Sequence, residues 1–406
     1  MSIHQNPWSR RKFVSTLTGA GALMFMNPPL MWAFEGEEDP KVAAIVAKIM
    51  GIDTHNHIDV PLNASELPGP KLDLISEFKK SGLLAISMTF AVDYQKLPNV
   101  GDAYNRFIAG LDAMDVVLKT NNIKRSLNLD DLNTAKKAGK PTVIQSVEGC
   151  HFLEGHADRV QIAYDRGLRQ LGLLHDNDAS VPLGDVYTNL VKFGGLTQLG
   201  TDVIKECDRL GILVDLAHAS NDTINAALKV ATKPVLISHT GLDTQLGQNP
   251  FMAKMMKPRL VSKEQAKIVA DAGGVIGVWT HLADTPLEYA QNIRAMVDVM
   301  GIDHVCIGTD TKLTPSYRSP NDKREGPKPE GNNDKPQSGK PENKGGDKGS
   351  ERVGERTNGA WKDQKAGFYY AVVDALLKTG FNEGEIAKIG GDNFCRIFDA
   401  ATKGHK

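Results

Sequence analysis

Five separated stretches of this 406-residue chain each end in side chains able to bind a metal or move a proton, and each stretch reads as a short apolar strand. His55 and His57 follow "GID", Glu148 follows "TVIQSV", His218 follows "ILVDLA", His239 follows "VLIS" and Asp310 follows "HVCIGT". Strands that all terminate this way are what a barrel of parallel strands produces, because each strand hands one residue to a shared centre at the carboxyl-terminal rim. An open doubly wound sheet also alternates strands and helices, but it gathers ligands at one switch point rather than from most of its strands.

The rest of the chain fits that architecture. Strands are predicted over 51–55, 83–89, 142–147, 169–174, 212–216, 234–237, 274–279 and 304–307, with helical patterns between them. Over 201–210, for example, Val203, Ile204, Cys207 and Leu210 share one face and Gly211 supplies a stop. The expected fold is α/β, a (β/α)8 TIM barrel of the metal-dependent hydrolase type. At 406 residues the chain exceeds the roughly 250 typical of such a barrel, leaving room for extensions and an insertion. From Ser316 to Asn358 it is Pro, Gly, Lys, Glu and Asn with almost no large apolar residue, so a disordered insertion is expected at 316–358. Helix-like segments at 361–378 and 383–398 then close the barrel.

The amino terminus reads as an address. "SRRKF" at 9–13, with its pair Arg10 and Arg11, precedes an uncharged stretch at 14–26, and acidic residues follow from Glu35. This pattern is that of a twin-arginine signal, whose apolar run is too short for a spanning helix of roughly 20 residues. A signal segment is therefore expected over 1–33, with Ala33 the best cleavage candidate, and a catalytic domain over 34–406. Twin-arginine export machinery is the implied partner, and the periplasm or exterior of a bacterium the implied destination. With 41% hydrophobic residues and a net charge of -1, the chain has material for a core and no feature pointing to nucleic acid. Its oligomeric state is left open, a homo-oligomer included. Cys150, Cys207, Cys306 and Cys395 are far apart and form no Cys-x-x-Cys pair, which argues against a zinc-thiolate site or a disulfide framework. Cys150, two residues past Glu148, is expected to be a small packed side chain.

Residues i and i+2 of a strand point the same way, so His55 and His57 can grip one ion, with Asp53 orienting one of them from behind. Glu148 offers two oxygens and can bridge two cations, while His218 and His239 complete the shell of the second ion. Two neighbouring cations lower the pKa of a shared water and polarise a bound carbonyl, which is the logic of two-metal hydrolysis. Any one of these histidines could be an ordinary hydrogen-bonded core residue. Four histidines, a glutamate and an aspartate all at strand ends make that reading jointly poor.

At these residues the chain resembles the membrane dipeptidases, also called renal dipeptidases, which are binuclear zinc peptidases on a (β/α)8 barrel. The matching stretches are "DTHNH", "VEGCH", "GLLHDND", "GLTQLGTDVIKECDRLGILVDLAHAS", "PVLISHT", "DHVCIGTD" and "IAKIGGDNFCRIF". The resemblance implies one zinc held by His55, His57 and Glu148 and another by Glu148, His218 and His239. It also implies His175 as the substrate-polarising histidine, Arg259 in "KPRLVS" as the substrate-carboxylate arginine and Asp310 as catalytic acid and base.

Two positions depart from the family pattern. Where the family usually reads His-x-Asp, this chain has His55-Asn56-His57, and a shifted alignment would use His57 and Asp59 instead. An imidazole in place of a carboxylate makes the site one charge more positive, which bears on metal preference. In "GTDTKLTP" the family commonly carries a second aspartate two residues after the first, and here that position is Lys312. The implied activity is amide hydrolysis by a bridging hydroxide between two zinc ions, on dipeptides with a D-residue at the carboxyl end among the candidates. The alternatives are another amidohydrolase reaction, such as opening a lactone, lactam or cyclic imide, and an exported metal- or solute-binding protein without catalysis.

Overall fold

All eight predicted strands form, and they pair in chain order with every pairing parallel. They are β1 (Ile52–His57), β2 (Ala85–Thr89), β3 (Thr142–Val147), β4 (Leu168–Gly172), β5 (Leu213–Asp215), β6 (Leu236–Thr240), β7 (Val275–Val278) and β8 (Val305–Ile307). Every residue in them is buried, as expected for parallel strands covered on both faces. The computed structural model describes residues 39–94, 96–176, 182–188, 190–320 and 355–405. The twin-arginine segment at 1–33 and residues 321–354 of the expected insertion lie outside the described residues.

A ninth strand that the sequence did not announce brings the two edges of the sheet together. After β8 the chain breaks direction at 308–310 and forms β9 (Thr311–Lys312), which pairs with β1 through Asn56↔Thr311 and His57↔Lys312. Three further bonds stitch this seam: Asp310 N–H to the His55 carbonyl at 3.1 Å, Thr54 Oγ1 to the Ile307 carbonyl at 3.0 Å and Thr309 N–H to Asp53 at 2.8 Å. Gly308 is required here by close approach, since a Cβ on it would stand 1.7 Å from the Ser238 carbonyl oxygen.

The end of the barrel opposite the rim is filled by the carboxyl-terminal helix Asn393–Thr402. Its Phe394, Ile397, Phe398 and Ala401 form one cluster with Ile52, Ala85, Ile144, Leu213, Leu236, Val275 and Cys306 at the starts of the strands. That plug explains why an apolar helical pattern recurs at the end of the chain. The expected helix at 383–398 is present as Glu383–Ala387, a π-turn at Lys388–Asp392, and Asn393–Thr402. The expected helix at 361–378 begins only at Phe368, because Gly367 precedes it with φ 118°. Trp361 instead buries its indole against Phe368 and donates Nε1–H to the Ala283 carbonyl at 2.8 Å. The helix expected at 201–210 is Gln198–Leu210, started by the Thr197 side chain accepting from Gly200 N–H and ended by Gly211 at φ 80°.

The low-complexity segment is narrower than composition suggested. Thr357 is fully buried and accepts from Asn56 Nδ2 at 2.8 Å, while Arg356 pairs with Glu77 at 2.9 Å. Tyr317 donates its hydroxyl to Glu66 at 2.8 Å. Residues 316–320 and 355–358 therefore belong to the folded body. A single buried threonine completing an asparagine's hydrogen bonds leaves no mark in composition.

Candidate active site

The rim of the barrel brings the imidazoles of His55, His57, His218 and His239 around the carboxylate of Glu148. His55 Nε2 lies 3.2 Å from His57 Nε2 and 3.4 Å from Glu148 Oε1, and His57 Nε2 lies 3.5 Å from Glu148 Oε2. On the other side His218 Nε2 is 2.9 Å from Glu148 Oε1 and 2.9 Å from His239 Nε2, with His239 Nε2 3.6 Å from the same oxygen. All five residues are buried. Donors about 2.0–2.1 Å from a tetrahedral zinc stand about 3.3 Å from one another, so the separations of His55 from His57 and from Glu148 Oε1 each suit an edge of such a polyhedron, while His57 approaches the other carboxylate oxygen. Imidazole nitrogens converging on a carboxylate, with Glu148 Oε2 lacking a hydrogen-bond partner among the described residues, form a donor set that fits divalent metal ions.

Three of the ligand-type imidazoles are aimed by a neighbour through Nδ1. Ser238 Oγ meets His239 Nδ1 at 2.9 Å and His55 Nδ1 at 3.2 Å. His218 Nδ1 meets Asp176 Oδ1 at 2.6 Å and lies 3.0 Å from the Tyr187 hydroxyl. Asp53, expected behind an imidazole, accepts instead from the backbone N–H of His55 at 3.3 Å and from Thr309 and Asn56. It fixes the backbone of the seam rather than a ring. His218 and Asp310 have left-handed backbones, with φ 68° and φ 55°. Such conformations are uncommon for residues with a Cβ and cluster at functional sites, where the surrounding structure holds them.

Asp310 Oδ1 is 3.2 Å from His57 Nε2 and 3.8 Å from His55 Nε2, and its Oδ2 is bonded to His281 Nε2 at 2.8 Å. His175 points Nε2 toward Glu148 Oε2 at 3.5 Å and holds Asp93 through Nδ1 at 2.7 Å. Arg259 is paired with Asp176 and lines a cavity of about 260 Å3 with Tyr187, His218, His239 and Trp279. A second cavity of about 290 Å3 is lined by His57, Asp59, Tyr94, Lys312 and Glu355 among others. Asp59, the alternative partner of His57, pairs with Lys312 Nζ at 2.8 Å and lies in none of the three groups of candidate ligands. Those groups are His55, His57 and Asp310; His55, Glu148 and His239; and Glu148, His175 and His218, with donor atoms within 4.8 Å of one another. Cys150 is buried, 3.4 Å from the Gly172 carbonyl, and burial pushes its thiol well above the usual range.

The electrostatics follow from crowding charges out of water. Burial works against the ionised form of Glu148, yet the neighbouring imidazoles of His175, His55 and His57 outweigh it and hold the carboxyl well below its ordinary range. Asp310 is likewise buried and likewise held low, by His239 and by bonds from His281 and His57. Against burial, Glu148 and Asp310 raise His57 to about 9, and Asp176 and Glu148 raise His218 to about 10. His239 moves the other way, well down, because burial is reinforced by the charges of His55 and His218.

Sequence reasoning passed over Asp93, Asp176, Tyr187, Ser238 and His281. His281 was within reach of the same rule, lying two residues past the predicted strand at 274–279. Asp176 and Ser238 adjoin His175 and His239 in sequence, and only the fold shows which rings they serve.

A parallel barrel that gathers imidazoles and carboxylates at its strand ends defines a metal-dependent hydrolase. The profile of the membrane dipeptidase family, peptidase family M19, matches residues 40–317, and the chain belongs to that family of metallopeptidases. A Klebsiella pneumoniae protein, described only as an uncharacterised protein in the pqqA 5' region, is 24% identical over 202 residues, covering 46% of this chain and 71% of that one. The crystal structure of the probable dipeptidase PvdM from Pseudomonas aeruginosa is similar in fold, with TM-score 0.66, 16% identity and coverage of 89% of this chain and 98% of that one. So is a metallopeptidase from Rhodobacter sphaeroides liganded with a phosphinate mimic of the dipeptide L-Ala-D-Ala, with TM-score 0.61, 15% identity and coverage of 87% and 99%.

Proposed function

We propose that this protein is an exported dipeptidase that hydrolyses the amide bond of dipeptides with two divalent ions, zinc by preference of the donor set, held by His55, His57 and Glu148 and by Glu148, His218 and His239. The observation that carries the reading is the convergence of four Nε2 atoms on the two oxygens of one buried carboxylate. When bound, two such ions would lower the pKa of a shared water and polarise the scissile carbonyl. The side chains supply the rest. His175, whose Nδ1 is engaged by Asp93, presents Nε2 to the centre and, as the imidazolium, can donate to the oxygen on which charge develops. Asp310, ionised and oriented by His281, accepts a proton and delivers it to the departing amine. Arg259, at the wall of the cavity beside His218, offers a planar fork to the terminal carboxylate of the substrate.

A dipeptide substrate is supported by family membership and by the dipeptide mimic held by the Rhodobacter relative. Export rests on the arginine pair at 10–11 and the apolar run after it. No helix among the described residues is long and apolar enough to cross a membrane. The deciding experiment assays purified protein on L,L- and L,D-dipeptides beside their amidated analogues and a lactone panel. Turnover of free dipeptides, with at least a tenfold loss on amidation, is expected. Turnover of lactones or cyclic imides and of no dipeptide would replace this reading with the broader amidohydrolase one.

A further inference from the structure

One carboxylate serves two parts of the site at once. Asp176 Oδ1 is 2.6 Å from His218 Nδ1, and its Oδ2 is paired with the Arg259 guanidinium. His218 turns its other nitrogen to Glu148 and His239, each at 2.9 Å. Accepting the Nδ1 proton fixes the tautomer that leaves Nε2 free as a ligand, and a carboxylate in that place makes the ring a stronger donor. Arg259 stands partly exposed in the cavity that also holds His218 and His239. A carboxylate entering there takes guanidinium N–H groups now facing Asp176 and leaves more of the Asp176 charge to His218.

We infer that Asp176 is a positioning residue that couples the ion held by His218 and His239 to occupancy of Arg259 by a carboxylate, so that each tightens the other. The inference rests on the functional reading in taking an ion as held by His218 and His239 and that carboxylate as the substrate's. Coupling is reciprocal, and couplings of this kind amount to about 5-fold to 150-fold in affinity.

The test is zinc affinity of metal-stripped protein, measured by competition with a chromophoric chelator, with and without saturating propionate. In the wild type, propionate should tighten one of two zinc ions about 5-fold or more. Asp176→Asn can still accept the His218 proton but carries no charge. It should weaken that ion alone by about 10- to 100-fold, the range for losing such an outer partner, and should abolish the propionate effect. Arg259→Gln is the second variant: it should bind that ion at least as tightly as the wild type without propionate, and propionate should add nothing. Equal tightening by propionate in wild type and Asp176→Asn, equal weakening of both ions, or an Arg259→Gln variant that binds zinc less tightly would each overturn the coupling. Dipeptide turnover is scored separately. Coupling without turnover would sink the dipeptidase reading alone, and turnover without coupling would sink the inference alone.

Discussion

At the scale of single residues, Asp310 is placed to act in either of two ways. Its Oδ1 lies as close to His57 as His57 lies to His55, at 3.2 Å in both cases, so the same atom suits a ligand and a proton acceptor. Asp310→Asn separates the two. If proton transfer is its role, the variant keeps both ions and loses about 10²- to 10⁴-fold in kcat, measured by metal analysis and steady-state kinetics on one sample. Loss of an ion would make it a ligand instead. The imidazoles yield a second prediction. With folded values raised to about 9 for His57 and about 10 for His218, their charged forms stabilise the metal-free fold fully below about 6.5. That contribution is lost as pH rises through the folded values. Zinc needs the neutral rings, so its affinity rises over the same window. The increase in Tm on adding zinc should therefore be larger at pH 8.5 than at pH 6.5, and a thermal melt at the two values checks it.

At the scale of elements, strand ends were the legible part. Each of His55, His57, Glu148, His218, His239 and Asp310 was predicted at a strand's carboxyl end, His175 was implied by the family resemblance alone, and the fold brings all seven to one rim. Register explains this, since parallel strands of similar length put their last residues at one level. What the sequence hid was the element made by few residues: β9 has two residues, and the chain reaches it through Gly308, where a Cβ would collide with the Ser238 carbonyl of β6. The outer partners were hidden for a different reason. Asp93 reaches His175 across 82 positions and Asp176 reaches Arg259 across 83, separations that no local pattern encodes. The carboxyl-terminal helix was visible as a helix, but its place inside the barrel end was not. Phe394→Ala should cost about 3–5 kcal/mol by emptying that plug, read as a lowered denaturation midpoint, while the rim keeps its metal stoichiometry. A cost under about 1 kcal/mol would mean that the plug is dispensable.

At the scale of the whole molecule, a barrel sealed at one end leaves a single rim where charged side chains can be both buried and reached, and the two cavities open there beside His57 and beside His218. Twin-arginine transport carries folded proteins, so ions could be loaded before export. Replacing Arg10 and Arg11 together by Lys should hold the protein in the cytoplasm, checked by fractionation, and continued export would point to the general secretory route. On the proposed reading, two ions on one carboxylate make this chain a dipeptidase. Its most direct test is to titrate zinc into metal-stripped protein while following hydrolysis of L-Ala-D-Ala. Activity should rise to a plateau that breaks at two equivalents per chain. A plateau reached at one equivalent, or no hydrolysis at any zinc level in folded protein, would contradict it.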